Sequence, residues 1–223
     1  MNPNNPKQMV VEGYDDLYSV VGVMRAHVDW PDPPADPPVY IKIGKSSNEI
    51  LERGYLDGLL KGNVVQMLGV MLDADTNPIG RYQSIRSLCS SFFPKMPMEM
   101  SPNGLIIENE KKKKLGVWIM PDNASPGCVE TFLRFLVPSR TEPIWTHSIK
   151  ATDEAKKIGC DCRDSHIDKA YLYTWLAWQD PPGQDPGKAL VAKILDPKAG
   201  HCAAFARWFT ELYGLGPKSD LFS

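Results

Sequence analysis

Three places in this chain set carboxylates at the end of an apolar run. Glu12 follows "QMVV", with Asp16 four residues on; Asp73 and Asp75 close "VVQMLGVMLDAD"; and Asp122 follows "LGVWIMP", with Glu130 shortly after it. Residues two apart in extended chain share a side, so Asp73 and Asp75 address one point, and Glu12 and Asp16 do the same where a turn runs straight into a helix. Unpaired carboxylates gathered together repel one another and are driven toward the protonated form unless a cation sits among them. Oxygen donors without clustered His or Cys suit Mg²⁺ or Mn²⁺ better than zinc or copper. Each acid alone has a plainer explanation, since Asp15 and Asp16 suit a helix entrance and Glu130 a first helical turn. Capping does not explain why three successive strand ends all use acids.

The elements that must position these acids are legible as alternating strands and helices. "QMVV" reads as a strand stopped at Glu12-Gly13, and Leu17, Val20, Val21 and Met24 recur at helical spacing after it. "VYIKIG" (39–44) is a second strand, and Ser46 with Glu49 forms a capping box opening a helix through Ile50, Leu51, Leu59 and Leu60. Residues 64–75 form a nearly all-apolar strand, as a central parallel strand requires. A helix follows from about Ile79 to Phe93, then two strands, "GLIIEN" and "LGVWIM", joined by a solvated lysine-rich turn (Lys111 to Lys114), then a helix after Pro126. Helical pattern dominates beyond that, near 150–158, 165–179, 187–195 and 201–214, with a loose tail from Gly216. The expected fold is therefore α/β: a mostly parallel sheet flanked by helices, with a C-terminal helical cap. A single domain is expected, with an α/β core over about 8–140 and a helical extension over about 141–215. In such a sheet ligands bind outside the carboxyl ends of the strands, which is where the acids fall.

Composition narrows the function classes. With 223 residues and 43% hydrophobic content the chain can bury one substantial core, and "WPDPPADPP" (30–38) reads as a surface loop. A net charge of −2 is not the footprint of an autonomous nucleic-acid binder, so any such role needs a local patch, metal ions or a partner. The absence of a long apolar run or a leader, with five irregularly spaced cysteines, leads us to expect free thiols, no membrane association and a cytoplasmic location. Gly44-Lys45-Ser46 resembles the end of a phosphate-binding loop, but the position that needs glycine is Val39. Cys160, Cys162, His166, His201 and Cys202 lack the spacing of a usual zinc site, and Trp175, Trp178, Trp208 and Tyr171 suit packing of the helical cap.

"VVEGYDD" with "MLDADTN" farther on resembles the Toprim superfamily, whose signature is a glutamate after a first strand and an Asp-x-Asp after a later one. The Glu12/Asp16 spacing is similar to the Glu-xxx-Asp form of overcoming-lysogenization-defect (OLD) nucleases. A family of small Toprim-like proteins in bacteria has a pattern met here by residues 11–16, 73–75, 116–123 and 127–132, and "HIDKAYLYTWLA" (166–177) resembles a later helix of that family. The likeness runs from about residue 9 to about residue 214. It implies a Toprim-like sheet and Mg²⁺-dependent phosphoryl transfer on nucleic acid, beside an ATPase partner protein as relatives of OLD nucleases are arranged. On that reading Asp73 and Asp75 hold one metal, Glu12 is shared or serves as general acid/base, and Asp16 and Glu130 with Asp122 place a second. Lys169 would offer positive charge to the scissile phosphate. Two other readings stand beside it: a non-catalytic binding or regulatory subunit on the same fold, and a small-molecule phosphatase of haloacid-dehalogenase type. The latter is weakened because Asn77 stands where that motif needs threonine.

Overall fold

A computed structural model describes residues 2–219. Its strands are β1 (Lys7–Val11), β2 (Tyr40–Ile43), β3 (Met67–Asp73), β4 (Leu105–Glu108) and β5 (Lys114–Met120). They form one sheet in the order β2-β1-β3-β5-β4, parallel throughout except for β4, which runs antiparallel to β5 as the other half of a hairpin. Helices α1 (Tyr14–Met24), α2 (Ser47–Ile50), α3 (Tyr55–Lys61), α4 (Pro78–Cys89), α5 (Val129–Arg134), α6 (Glu142–Lys157), α7 (Ile167–Ala177), α8 (Pro186–Val191) and α9 (Cys202–Tyr213) complete it.

Strand alternation divides the apolar residues between two cores. Met9 and Val11 of β1, Met71 of β3 and Trp118 and Met120 of β5 point to one face, which is covered by α1 and α5 to α9. Val10, then Leu68, Val70 and Leu72, then Leu115, Val117 and Ile119 point to the other, covered by α2, α3 and α4. Both faces are dry, which explains why β3 and β5 read as unbroken apolar runs. The last helix sits closest. Gly69 and Gly116 are register partners, and a methyl group on them would lie 2.3 Å from Tyr213 Oη and 2.4 Å from Leu212 Cδ2. Tyr213 in turn donates to the carbonyl of Gln8 (2.8 Å), tying α9 to the first strand.

Several boundaries differ from the sequence expectation for local reasons. The single helix expected after Ser46 is two, α2 and α3, parted by Gly54, whose φ of 105° is a left-handed value no helix interior adopts. The helix expected from Ile79 to Phe93 ends at Cys89. The helix expected near 150 starts at Glu142, with Pro143 in its first turn, where a missing N–H is harmless. The lysine-rich turn is only partly a solvated tip: Lys113 Nζ donates to the carbonyls of Leu60 (2.8 Å) and Gly62 (2.5 Å) and so closes the C-terminus of α3. The tail is held as far as it is described, since Lys218 N–H donates to His27 O (2.8 Å) and Ser219 to Asp29; residues 220–223 of the expected loose tail lie outside the described residues.

Among the described residues, no helix is long and apolar enough to cross a membrane. All five cysteines are free.

Candidate functional site

The connections after β1 and β3 leave for opposite faces of the sheet, one to α1 and the other to α4, so a crevice opens between two neighbouring strand ends. Glu12 and Asp73 stand on either side of it and are joined directly. Glu12 Oε1 accepts from the Asp73 N–H (2.9 Å) and Oε2 from the Ser47 N–H (3.0 Å). Asp73 Oδ1 accepts from the Val129 N–H at the start of α5 (3.0 Å), so the β1, β3 and β5 connections meet through carboxylate-to-amide bonds. A two-way backbone bridge between Asp75 and Gly127 (2.9 and 2.8 Å) clamps the last two of these connections together.

Asp16 and Glu130 complete the group. Asp16 is only 5% exposed; its Oδ2 accepts from the Gly13 N–H (2.8 Å), while Oδ1 is buried without a hydrogen-bond partner among the described residues. Ser19, one turn along the same buried face of α1, has an equally orphaned hydroxyl. Glu130 is 7% exposed, and Lys169 Nζ lies 3.4 Å from its Oε1 and 2.5 Å from Asp15 Oδ2. Lys169 is held there because its neighbour Asp168 accepts from Thr131 Oγ1, which fixes the start of α7 against α5.

The electrostatics follow from burial. Asp16 is pushed up to about 7 by desolvation and by the charges of Glu12 and Glu130, against the opposing Gly13 hydrogen bond. Asp73 is raised well above the usual carboxylate range by desolvation and then by Asp16, Glu12, Glu130 and Asp75. Desolvation also raises Glu12, with the bonds from Asp73 and Ser47 and the Arg81 guanidinium working against it. Burial disfavours the Lys169 ammonium, but the bond to Asp15 and the charge of Glu130 outweigh this and hold it above the ordinary lysine value. Cys128, beside Glu130, has its thiol pushed up to about 12 by burial and by Glu130, which removes it as a nucleophile near neutral pH.

Not every acid singled out from the sequence joins this group. Asp122 Oδ1 accepts from the Ala124 (3.0 Å) and Ser125 (2.7 Å) amides and Oδ2 from the Ser125 hydroxyl (2.8 Å), closing its own turn. Partial burial pushes its carboxyl up, but those bonds outweigh the burial and hold it low. Asp75 is turned outward, its side chain 64% exposed and paired with Arg81 (2.5 Å). Asp15 and Asp16 also exchange the parts their positions suggest: Asp16, three residues past the Gly13 N-cap, reaches back to cap the helix, while Asp15 is the counter-ion of Lys169. Sequence reasoning missed Arg81, which donates to the Asp73 carbonyl (2.8 Å) as well as to Asp75. As the one cation in the first turns of the helix after Asp73 and Asp75, it was available as a signal.

Among the described residues, no three carboxylate, imidazole or thiol groups stand as a ready-made ion cage. The donor chemistry nevertheless fits a hard divalent cation. Glu12, Asp16, Asp73 and Glu130 offer oxygen only, desolvation and neighbouring carboxylates raise Glu12, Asp16 and Asp73 toward protonation, and Asp16 Oδ1 is a buried acceptor without a hydrogen-bond partner among the described residues.

Fold and site together define an α/β protein with a partly buried carboxylate cluster at the switch point of its sheet. The chain belongs to the family described as protein of unknown function (DUF3226), whose model matches residues 6–214. No curated protein and no solved structure matches it.

Proposed function

We propose that this protein is a Mg²⁺- or Mn²⁺-dependent phosphodiesterase of Toprim type acting on nucleic acid. The observation that carries this reading is the convergence of four carboxylates, Asp16 and Glu130 buried and Glu12 and Asp73 half-buried, from the connections of three neighbouring strands, with Lys169 the ammonium set against them among the described residues. Glu12, Asp16, Asp73 and Glu130 would hold the metal, with Asp75 available at the rim. Asp122 is left out because its own turn uses both oxygens. When bound, a divalent ion supplies charge neutralisation at the phosphodiester and a water of lowered pKa. Glu12, oriented by two amides, would hold or release a proton at the leaving oxygen. Lys169 is the cation available to a phosphate oxygen. A cytoplasmic setting is supported by the five free thiols, and an ATPase partner by the similarity to OLD nucleases.

A second reading, a non-catalytic binding or regulatory subunit, is favoured by a specific observation: Glu12 and Asp73 already bond backbone amides, and Asp75 already has Arg81. One experiment separates the two. Purified protein is titrated with Mg²⁺ or Mn²⁺ by calorimetry and incubated with labelled DNA and RNA, alone and with a candidate ATPase. The nuclease reading expects binding heat and cutting, both abolished by Asp73→Asn; metal indifference with no cutting would leave the binding subunit.

A further inference from the structure

The oxygens of the clustered carboxylates are unevenly claimed by the protein. Both Glu12 oxygens, Asp16 Oδ2 and Asp73 Oδ1 accept from backbone amides at 2.8–3.0 Å, and Glu130 Oε1 faces the Lys169 ammonium at 3.4 Å. That leaves Asp16 Oδ1, Asp73 Oδ2 and Glu130 Oε2 without a protein donor among the described residues, one oxygen from each of the three strand connections. Asp16 Oδ1 is wholly buried, and a buried acceptor left unpaired is a cost that folded chains rarely carry without a ligand to satisfy it. A second ion would have to draw on the acids around the rim, and each of those is already taken. Asp122 uses both oxygens in its own turn, Asp75 pairs with Arg81, and Asp15 pairs with Lys169. Nor is Lys169 a loose surface cation: Asp168 before it is bonded to Thr131, and the Tyr173 ring one turn on is centred 5.7 Å from the ammonium.

We propose that the carboxylate cluster takes a single divalent ion, on the free oxygens of Asp16, Asp73 and Glu130 with Glu12 beside them, and that the Lys169 ammonium fills the place a second ion would have. This deepens the proposed function and rests on it only in taking the ligand to be Mg²⁺ or Mn²⁺. It parts from the two-ion arrangement implied by the Toprim resemblance, in which Asp16 and Glu130 with Asp122 place the second metal. A hard ion of this kind keeps several waters and needs few protein oxygens, which suits donors that converge without forming a closed cage among the described residues. Glu130 would then bridge, one oxygen to the ion and the other to the ammonium, as a shared carboxylate does between the paired ions of a two-metal site. Lys169 keeps three donors for a phosphate oxygen but cannot lower the pKa of a water, so the two positive charges have different work to do.

The test counts ions and needs no cutting. Mn²⁺ is titrated into purified protein without nucleic acid, and the free ion is read by electron paramagnetic resonance. The wild type is expected to bind one Mn²⁺ per chain. Lys169→Met, which keeps an unbranched side chain against Tyr173 and removes the charge, should admit a second ion, while Lys169→Arg should stay at one. The Lys169 side chain is 47% exposed, so neither change opens a cavity in the core. Adding Asp15→Asn to Lys169→Met should return the count to one, because Asp15 is the carboxylate that the missing ammonium sets free. Two ions or none in the wild type, a single ion in Lys169→Met, or a second ion that survives Asp15→Asn would overturn the proposal. Incubation of the same proteins with labelled DNA and RNA separates it from the reading it rests on. One ion in the wild type and two in Lys169→Met, with no cutting by either, leave the single-ion cluster standing and remove the phosphodiesterase; two ions in the wild type, with cutting lost in Asp73→Asn, do the reverse.

Discussion

At the level of single residues, Asp16 carries the largest consequence. Its carboxyl titrates near 7 in the folded chain, against an ordinary 3.8, so the folded form holds this proton more tightly than the unfolded form does. Its contribution is therefore most favourable at low pH and is lost as pH rises from about 4 to about 7, and Glu12 and Asp73 are shifted the same way. Without metal, the protein is expected to be less stable at pH 8 than at pH 5.5, with Asp16 alone worth on the order of a few kcal/mol. Asp16→Asn keeps an oxygen for the Gly13 amide but has no charge to bury, so thermal melts of the variant should change much less between those two pH values. An unchanged pH dependence would mean that the Asp16 carboxyl ionises in the folded chain over the same pH range as in the unfolded one. The same residue shows what sequence spacing leaves open. That Glu12 and Asp16 belong together was legible, because a strand, a glycine and a helix in succession leave little freedom. That Asp16 would also cap the helix and Asp15 pair with Lys169 was not, because the first depends on where the first helical turn begins, here at Gly13, and the second on a residue 154 positions away.

At the level of elements, α9 is seated by subtraction, because its Leu212 and Tyr213 occupy the space that side chains would take on β3 and β5. Gly69→Ala is expected to cost about 1–3 kcal/mol through overpacking. The atom it meets first is Tyr213 Oη at 2.3 Å, with the next ring atom, Cζ, at 3.3 Å. Tyr213→Phe removes that oxygen together with its bond to Gln8, at a cost of about 1 kcal/mol. In the Tyr213→Phe background, Gly69→Ala should therefore cost less than it does in the wild type. Urea denaturation of the four proteins reads this directly, and simple additivity would contradict the packing described. The parallel strands could be read from sequence because burial on both faces leaves a continuous apolar run. The glycines within those runs could not be matched to their partner, since nothing local connects positions 69 and 213. Asp122 misleads for the opposite reason: Ala124 and Ser125 satisfy it from two and three residues away, a local turn that a search for long-range convergence overlooks.

At the level of the whole molecule, burial of like charges gives metal binding a global readout. A ligand that binds only the folded state at about a hundred times its Kd adds about 2.7 kcal/mol, which for a chain of this size is a rise in Tm of roughly 5–10 °C. Mg²⁺ or Mn²⁺ at pH 8 is expected to produce such a rise by scanning calorimetry, and Glu12→Gln to abolish most of it; no rise would count against a metal in this pocket. The tie between Tyr213 and the carbonyl of Gln8 joins residues 205 positions apart. During synthesis the first strand leaves the ribosome long before α9, so the part of the Trp118 face that α9 covers stays open until residues 202–213 have been made. A truncation shortly before Cys202 would strand the nascent chain in that state, and exposed Met9, Trp118 and Leu212-facing glycines would make it a client for chaperones rather than a smaller version of the same protein.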